Sequence, residues 1–327
     1  MQLDKNVLYE FMNSQAGGCR VLVVGDIMLD KYYYGEVKRI SPEAPVPVTR
    51  VIREVETLGG AANVAHNLAL LGCHTSLVGF TGDDYHCRIL LDKLSLKKID
   101  YTGIVHTPAP TTTKLRIIGG HQQMLRLDFE ETSPSEEKYQ MAIQQRIDSK
   151  LAEGIDSVII SDYGKGLCTE KLCQYIINQC HLHKVPVAID PKGNSWHKYA
   201  GADYITPNLK EINDILPMPI ENKDEEIKKA AQYIRRKYKI ANVLATRSEC
   251  GLSLVGSRRA THIPTLAQEV FDVSGAGDTV IAVFALALAG KIDPENGAYL
   301  ANLAASVVVA KLGTYAVSRD ELIDKLS

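Results

Sequence analysis

Short runs rich in β-branched residues recur along the chain, at residues 21–24, 76–79, 157–160, 186–189, 204–206 and 242–245. Continuous apolar runs of this length suit strands buried on both faces, and most are separated by stretches with helical spacing. Strands alternating with helices predict an α/β fold, a mostly parallel sheet flanked by helices. Such sheets receive ligands beyond the carboxyl ends of their strands. Those ends carry polar clusters: Gly25-Asp26, Ser161-Asp162-Tyr163, Asp190-Pro191-Lys192, Thr206-Pro207-Asn208 and Thr246-Arg247-Ser248. The site is expected along that rim.

Two stretches, 32–53 and 111–129, break the rhythm with alternating apolar and polar residues and prolines. They read as antiparallel strands forming a small β appendage inserted into the α/β body. The apolar run 280–289 is too short to cross a bilayer and follows a glycine-rich turn, so it predicts a buried helix. No repeat, low-complexity tract or long linker divides the chain, which reads as one domain over 1–327.

The 37 basic and 39 acidic side chains leave a net charge of −2 without a basic cluster, which argues against nucleic acid and membrane as partners. Seven cysteines without paired spacings fit reduced thiols in a cytoplasmic protein, and residues 1–14 carry no cleavable apolar segment. The group Cys168, Cys173, Cys180, His181 and His183 has the spacing of one helix packing small apolar side chains rather than of a zinc site.

The strongest chemical signal is Asp272-Val273-Ser274-Gly275-Ala276-Gly277-Asp278-Thr279, immediately before the apolar helix. Glycines let successive amides point at one spot, and the helix adds its positive end, a construction suited to an anion. Asp278 beside such a site would repel phosphate unless it accepts the proton of an attacking hydroxyl. The alternative is a helix cap after a tight turn, and local chemistry admits both. Gly59-Gly60-Ala61-Ala62-Asn63 is a second glycine-led helix start, where Asn63 offers a donor and an acceptor to sugar hydroxyls or stands beside a plain turn. Asp26 and Asp30 could accept from hydroxyls or cap loops. Asn208 and Glu211 could hold Mg²⁺ through water, with Glu211 as the metal residue, or form an N-cap with an acidic first turn. Neither a Gly-x-x-x-x-Gly-Lys-Ser/Thr loop nor, after the first strand, a Gly-x-Gly-x-x-Gly fingerprint occurs, which argues against P-loop and dinucleotide-binding proteins.

The pairing of the early Gly-Gly-Ala-Ala-Asn with the late Asp-Val-Ser-Gly-Ala-Gly-Asp-Thr resembles the ribokinase-like (pfkB) carbohydrate kinases over essentially the whole chain. Further segments look closest to the members that act on D-glycero-D-manno-heptose 7-phosphate: residues 25–30, 39–48, 122–128, 162–166 and Lys311-Leu312-Gly313-Thr314. The resemblance implies a sheet of nine or so strands with a β lid used for dimerisation, and phosphorylation of an anomeric hydroxyl using ATP and Mg²⁺, with a monovalent cation admitted. It implies Asp278 as base and Gly275, Ala276 and Gly277 as anion hole. Asn208, Glu211, Thr246, Ser248, Gly251, Lys311 and Gly313 would serve the nucleotide. Asp26, Asp30, Gly60 and Asn63 would hold the sugar, joined by Lys192, Lys114, Arg116, Gln123 and Arg126 around a substrate phosphate. A non-catalytic sensor on the same fold would be expected to lack Asp278, which is present. The His-x-Gly-His motif of the nucleotidyltransferase domain fused to many such kinases does not occur, which leaves a stand-alone kinase and part of a bifunctional chain both open.

Overall fold

The computed structural model describes residues 4–327 apart from His121, Pro134, Leu312 and Thr314. Residues 1–3 of the amino-terminal reading, and Leu312 and Thr314 of the segment beginning at Lys311, therefore lie outside the described residues. The strands are β1 (Arg20–Gly25), β2 (Ile27–Ile40), β3 (Pro47–Gly60), β4 (His74–Thr81), β5 (Asp100–His106), β6 (Thr113–Gly119), β7 (Gln122–Phe129), β8 (Ser157–Ser161), β9 (Val187–Asp190), β10 (Tyr204–Ile205), β11 (Asn242–Thr246), β12 (Leu252–Val255) and β13 (Ala260–Ile263). The helices are α1 (Lys5–Glu10), α2 (Ala61–Leu70), α3 (Tyr85–Leu96), α4 (Glu137–Ala152), α5 (Glu170–His183), α6 (Leu209–Ile215), α7 (Asp224–Tyr238), α8 (Ala276–Ala289), α9 (Pro294–Val309) and α10 (Arg319–Leu326).

Nine strands form one sheet in the order β13-β12-β11-β10-β9-β8-β1-β4-β5. Pairing is parallel from β11 to β5, while β12 and β13 add an antiparallel end. The apolar runs read from the sequence fall in β1, β4, β8, β9, β10 and β11. One core layer packs α2, α8 and α9 against one face, and a second packs α4, α5 and α7 against the other. In α8 every side chain from Val280 to Ala287 is buried, because this helix lies between the sheet and both α2 and α9. Cys173 and Cys180 pack into the core from α5, as the spacing predicts.

The second sheet has the order β3-β2-β6-β7. Its strands extend further than expected, since β2 starts at Ile27, directly after the end of β1. Its central pair, β2 with β6, is parallel rather than antiparallel, because the chain makes the β4–α3–β5 excursion in the main sheet before returning as β6. Asp30, Lys114 and Asp128 sit side by side in register, as do Tyr32, Arg116 and Arg126 one pleat further on. These residues share one face of the lid. No helix among the described residues is long and apolar enough to cross a membrane.

Candidate active site

The amino-terminal end of α8 carries the glycine turn. Gly275 is its N-cap at φ +80°, a left-handed conformation that a glycine adopts without steric cost. Gly277, expected to share that constraint, has no positive φ, and a side chain there would meet nothing within 4 Å. The Ala276 N–H donates to Val273 O at 3.2 Å, so this amide is committed to the turn. The amides of Gly275, Gly277 and Asp278 have no acceptor among the described residues. Of the segment read as an anion hole, 275–277, the Ala276 amide is thus engaged, and the run of amides without acceptors extends to Asp278. Asp272 braces the turn by accepting from Ser274 N–H at 2.9 Å and Gly313 N–H at 3.0 Å, which draws the 311–313 loop alongside.

Asp278 is buried and accepts two short hydrogen bonds, from Asn63 Nδ2 to Oδ2 at 2.6 Å and from Tyr163 Oη to Oδ1 at 2.5 Å. Burial pushes its carboxyl above the ordinary carboxylate range. The two donors pull it back in part, Asp30 adds to the rise and Lys114 opposes it. Asn63 commits one of its two amide hydrogens to Asp278, which leaves the other and its carbonyl oxygen for a ligand.

Asp30 and Gly60 lie on the lid side of this centre. Arg116 Nη1 is 2.6 Å from Asp30 Oδ1 and its guanidinium stands over the Tyr32 ring. The glycines of β3 make room here: a side chain on Gly59 would lie 2.3 Å from Asp30 Oδ2, and one on Gly60 2.5 Å from the Asp26 carbonyl. Lys114 sits over the Tyr163 ring, 5.8 Å from its centroid. No carboxylate among the described residues lies within ion-pair distance of it, and burial lowers its affinity for a proton. Lys114 is an uncompensated cation of the site.

Other positions depart from expectation. Asp26 is 4% exposed and accepts from the amides of Tyr163 (2.8 Å), Lys165 (3.0 Å) and Leu167 (3.3 Å). It clamps the 163–167 loop. Lys192, at the end of β9, has its Nζ 3.6 Å from Glu211 Oε1, and a side chain on Gly164 would lie 3.8 Å from its Cγ. Gln123 and Arg126 lie on the exposed edge strand β7, and Arg126 is held by Asp128 at 2.9 and 3.0 Å. Neither contacts Asp278 or Asn63.

Towards β11, Asn208 and Glu211 form a capping box at the start of α6: Asn208 Oδ1 accepts from Glu211 N–H at 2.9 Å and Glu211 Oε2 from Asn208 N–H at 3.0 Å. The capping alternative is therefore realised, while Glu211 Oε1 and Asn208 Nδ2 remain for other partners. Thr246 ends β11 beside Asn208, and Ser248 and Gly251 both have positive φ around the following turn. Lys311 is exposed, with its ammonium over the Tyr315 ring, and Gly313 takes φ +78°.

Three residues at the site were not singled out in the sequence. Tyr163 contacts the Asp278 carboxylate. Asp162 locks the base of the same loop by accepting from Lys198 Nζ (2.5 Å), Tyr199 Oη (2.6 Å) and Gly164 N–H (2.7 Å). The Asp190 carboxyl is pushed well up by burial and by the charges of Asp278 and Glu211. Their only sequence signal was position, at the ends of β8 and β9.

A model of the pfkB family carbohydrate kinases matches residues 20–321. The bifunctional protein HldE of Koribacter versatilis is 45% identical over 309 residues, covering 94% of this chain and 63% of the relative. That of Geobacter sulfurreducens is 43% identical over 329 residues, covering 98% and 65%. The chain thus spans somewhat under two thirds of the length of these curated relatives. Among solved structures, Arabidopsis thaliana ribokinase complexed with ribose and ATP superposes with a TM-score of 0.75 at 20% identity, covering 94% of this chain and 99% of the other. Escherichia coli phosphofructokinase-2 in complex with substrates and products gives 0.76 at 20% identity, covering 94% and 98%. At those identities the likeness shows the fold, a ribokinase-like α/β sheet with a lid. With the family model matching from β1 into α10, the chain belongs to the pfkB family of carbohydrate kinases.

Proposed function

We propose that this chain transfers the terminal phosphoryl group of ATP to the anomeric C1 hydroxyl of D-glycero-D-manno-heptose 7-phosphate, giving the 1,7-bisphosphate used in ADP-heptose and lipopolysaccharide core synthesis. The observation that carries the reading is the placement of Asp278, a buried carboxylate at the positive end of α8, beside amides without acceptors and beneath the lid cations. The heptose is supported by the likeness of residues 25–30, 39–48 and 162–166 to kinases of that sugar phosphate and by relatives that are bifunctional HldE proteins.

In this mechanism the sugar C1 oxygen forms a bond to the terminal phosphorus as the bond from that phosphorus to the bridging oxygen of ADP breaks. The hydroxyl proton passes to Asp278. Protein groups chiefly position the reactants and offset charge on the moving phosphoryl group, a task for the free amides of Gly275, Gly277 and Asp278 and for the α8 dipole. Asp30, Gly60 and the Asn63 carbonyl face the sugar, and Lys114 and Arg116 face its phosphate, while Thr246, Ser248, Gly251, Lys311 and Gly313 border the nucleotide. Glu211, whose Oε1 is met by Lys192 Nζ at 3.6 Å, offers with Asp190 the hard oxygen environment that suits hydrated Mg²⁺. Bound there, Mg²⁺ would offset phosphate charge. A cytoplasmic homodimer formed through the lid fits the exposed apolar residues Val51, Ile52, Leu125, Leu127 and Phe129, and sedimentation would measure it.

The deciding experiment is an ATP-consumption assay comparing kcat/KM for heptose 7-phosphate, free heptose, fructose 1-phosphate, ribose and adenosine, with ³¹P NMR of the product. Heptose 7-phosphate is expected to lead and to gain an anomeric phosphate. A free sugar or nucleoside turning over equally well would remove this substrate while leaving a sugar kinase.

A further inference from the structure

We infer that Tyr163 is the positioning residue of the Asp278 base, holding its carboxylate charged and aimed through a hydroxyl that the 163–167 loop fixes in place. The inference rests on the proposed kinase reaction. Its starting point is geometric: Tyr163 Oη and Asn63 Nδ2 donate to different oxygens of Asp278, at 2.5 and 2.6 Å, so together they set the plane of the carboxylate. Asn63 is delivered by α2, a rigid core helix. Tyr163 comes from a loop, and a loop can aim a side chain only if its own backbone is fixed.

Two buried carboxylates fix it. Asp26 takes the amides of Tyr163, Lys165 and Leu167, and Asp162 takes that of Gly164 while being held by Lys198 and Tyr199. A loop of five residues thus has four of its amides bound by side-chain acceptors at its base, and two of its residues, Gly164 and Gly166, take positive φ where other residues are strained. Asp26 and Asp162 stand at the ends of adjacent strands β1 and β8. Such a clamp is more than a turn requires; from the loop it holds, Lys165 Nζ reaches Glu130 Oε2 at 2.7 Å and the Tyr163 hydroxyl reaches Asp278.

The charged groups that face Asp278 are Asp30 from β2, Lys114 from β6 and Asp190 from β9. Two of the three are acids that oppose ionisation, and burial opposes it further, so the carboxylate depends on its two donors to stay charged. Tyr163 keeps its proton under all working conditions, since burial and the neighbouring Asp278 charge raise its own pKa well above the usual phenol value. It is a permanent donor rather than a base.

The test is Tyr163→Phe, which keeps the ring under Lys114 and removes only the hydroxyl. Loss of a donor to the charged form makes Asp278 harder to ionise, so the acid limb of the kcat profile should move to higher pH. At neutral pH kcat should fall by about tenfold or more, with KM for the sugar changing far less. Substituting 3-fluorotyrosine at the same position, a stronger donor of nearly the same shape, should move the limb the other way. The Asp278 carboxyl carbon, followed by ¹³C NMR in aspartate-labelled protein and assigned with Asp278→Asn, reads the same titration without turnover. A folded Tyr163→Phe protein whose carboxyl signal and acid limb both stay in place would overturn the inference, leaving Tyr163 a packing residue. A carboxyl signal that shifts in a wild-type protein with no sugar-dependent turnover would instead overturn the kinase reaction, and with it the catalytic sense of the coupling.

Discussion

Thr279 Oγ1 donates to Asn67 Oδ1 at 2.9 Å inside the contact of α8 with α2, joining residues 212 apart in the chain. Asn67 in turn donates to Asn63 O at 2.9 Å, so the two glycine-led helix starts form one rigid unit with Asp278 and Asn63 in mutual contact. Removing the amide in Asn67→Ala strips a buried hydroxyl of a partner, which should cost about 1–3 kcal/mol of stability. A thermal melt measures the loss. Turnover per folded molecule should fall with KM little changed, because the base is displaced rather than the sugar contacts; an unaltered kcat would separate the unit from catalysis.

Asp278→Asn should retain the fold and nucleotide affinity while lowering kcat by about 10²-fold or more. In the wild type the active form of Asp278 is ionised, and burial raises its pKa above the ordinary carboxylate range. Activity should therefore be full on the alkaline side and decline as pH falls through that raised value. A profile flat down to the ordinary carboxylate range would remove Asp278 from the role of base.

The two glycines of the turn should separate in their effects. Gly277 has open space where a side chain would stand, so Gly277→Ala or Gly277→Val should melt like the wild type yet lose activity by obstructing the phosphate's approach. Gly275, at φ +80°, should instead lose about 1–2 kcal/mol of stability on replacement by alanine. Wild-type turnover in a folded Gly277→Val would dismiss the amides as the anion site.

Lys114→Met removes a lid cation that has no carboxylate within ion-pair distance among the described residues. Charge-assisted hydrogen bonds to phosphate are the strong ones, so kcat/KM for a phosphorylated sugar should fall by about 10–100-fold. The same sugar without its phosphate should lose much less. Equal losses on both would place Lys114 on the transferred phosphoryl group or on the fold instead.

His66 supplies a stability prediction independent of catalysis. Burial, with Lys97 nearby, lowers its pKa from 6.5 to about 4, and its Nε2 has no partner. The folded state therefore binds this proton less readily than the unfolded chain. The neutral ring's contribution is complete above the unfolded value of 6.5 and is lost as pH falls towards about 4. His66→Leu should flatten the drop in melting temperature between pH 7 and pH 5, and an unchanged slope would assign the acid sensitivity elsewhere.

Central strands were legible in the sequence because residues such as Val21 to Val24 and Val158 to Ile160 are buried on both faces and must all be apolar. Strand β5, at the edge of the sheet, and the β12–β13 hairpin were not, since Asp100–His106 buries only Gly103 and Ile104 and the hairpin strands are four residues each. The glycine turn and Asp278 announced themselves through composition, because an anion site built from backbone amides needs small residues in succession. What the chain could not reveal was which polar groups would satisfy one another. Nothing local told that Asp26 would accept from the amides of the 163–167 loop, or that Lys192, at the end of β9, would stand 3.6 Å from Glu211. Tyr163, Asn63 and Asp278 lie on separate segments, and only the parallel pairing of β1 with β8, together with the packing of α2 on α8, brings them together. A local pattern fixes what each segment must bury, whereas the partner of a buried polar group depends on every element that closes around it.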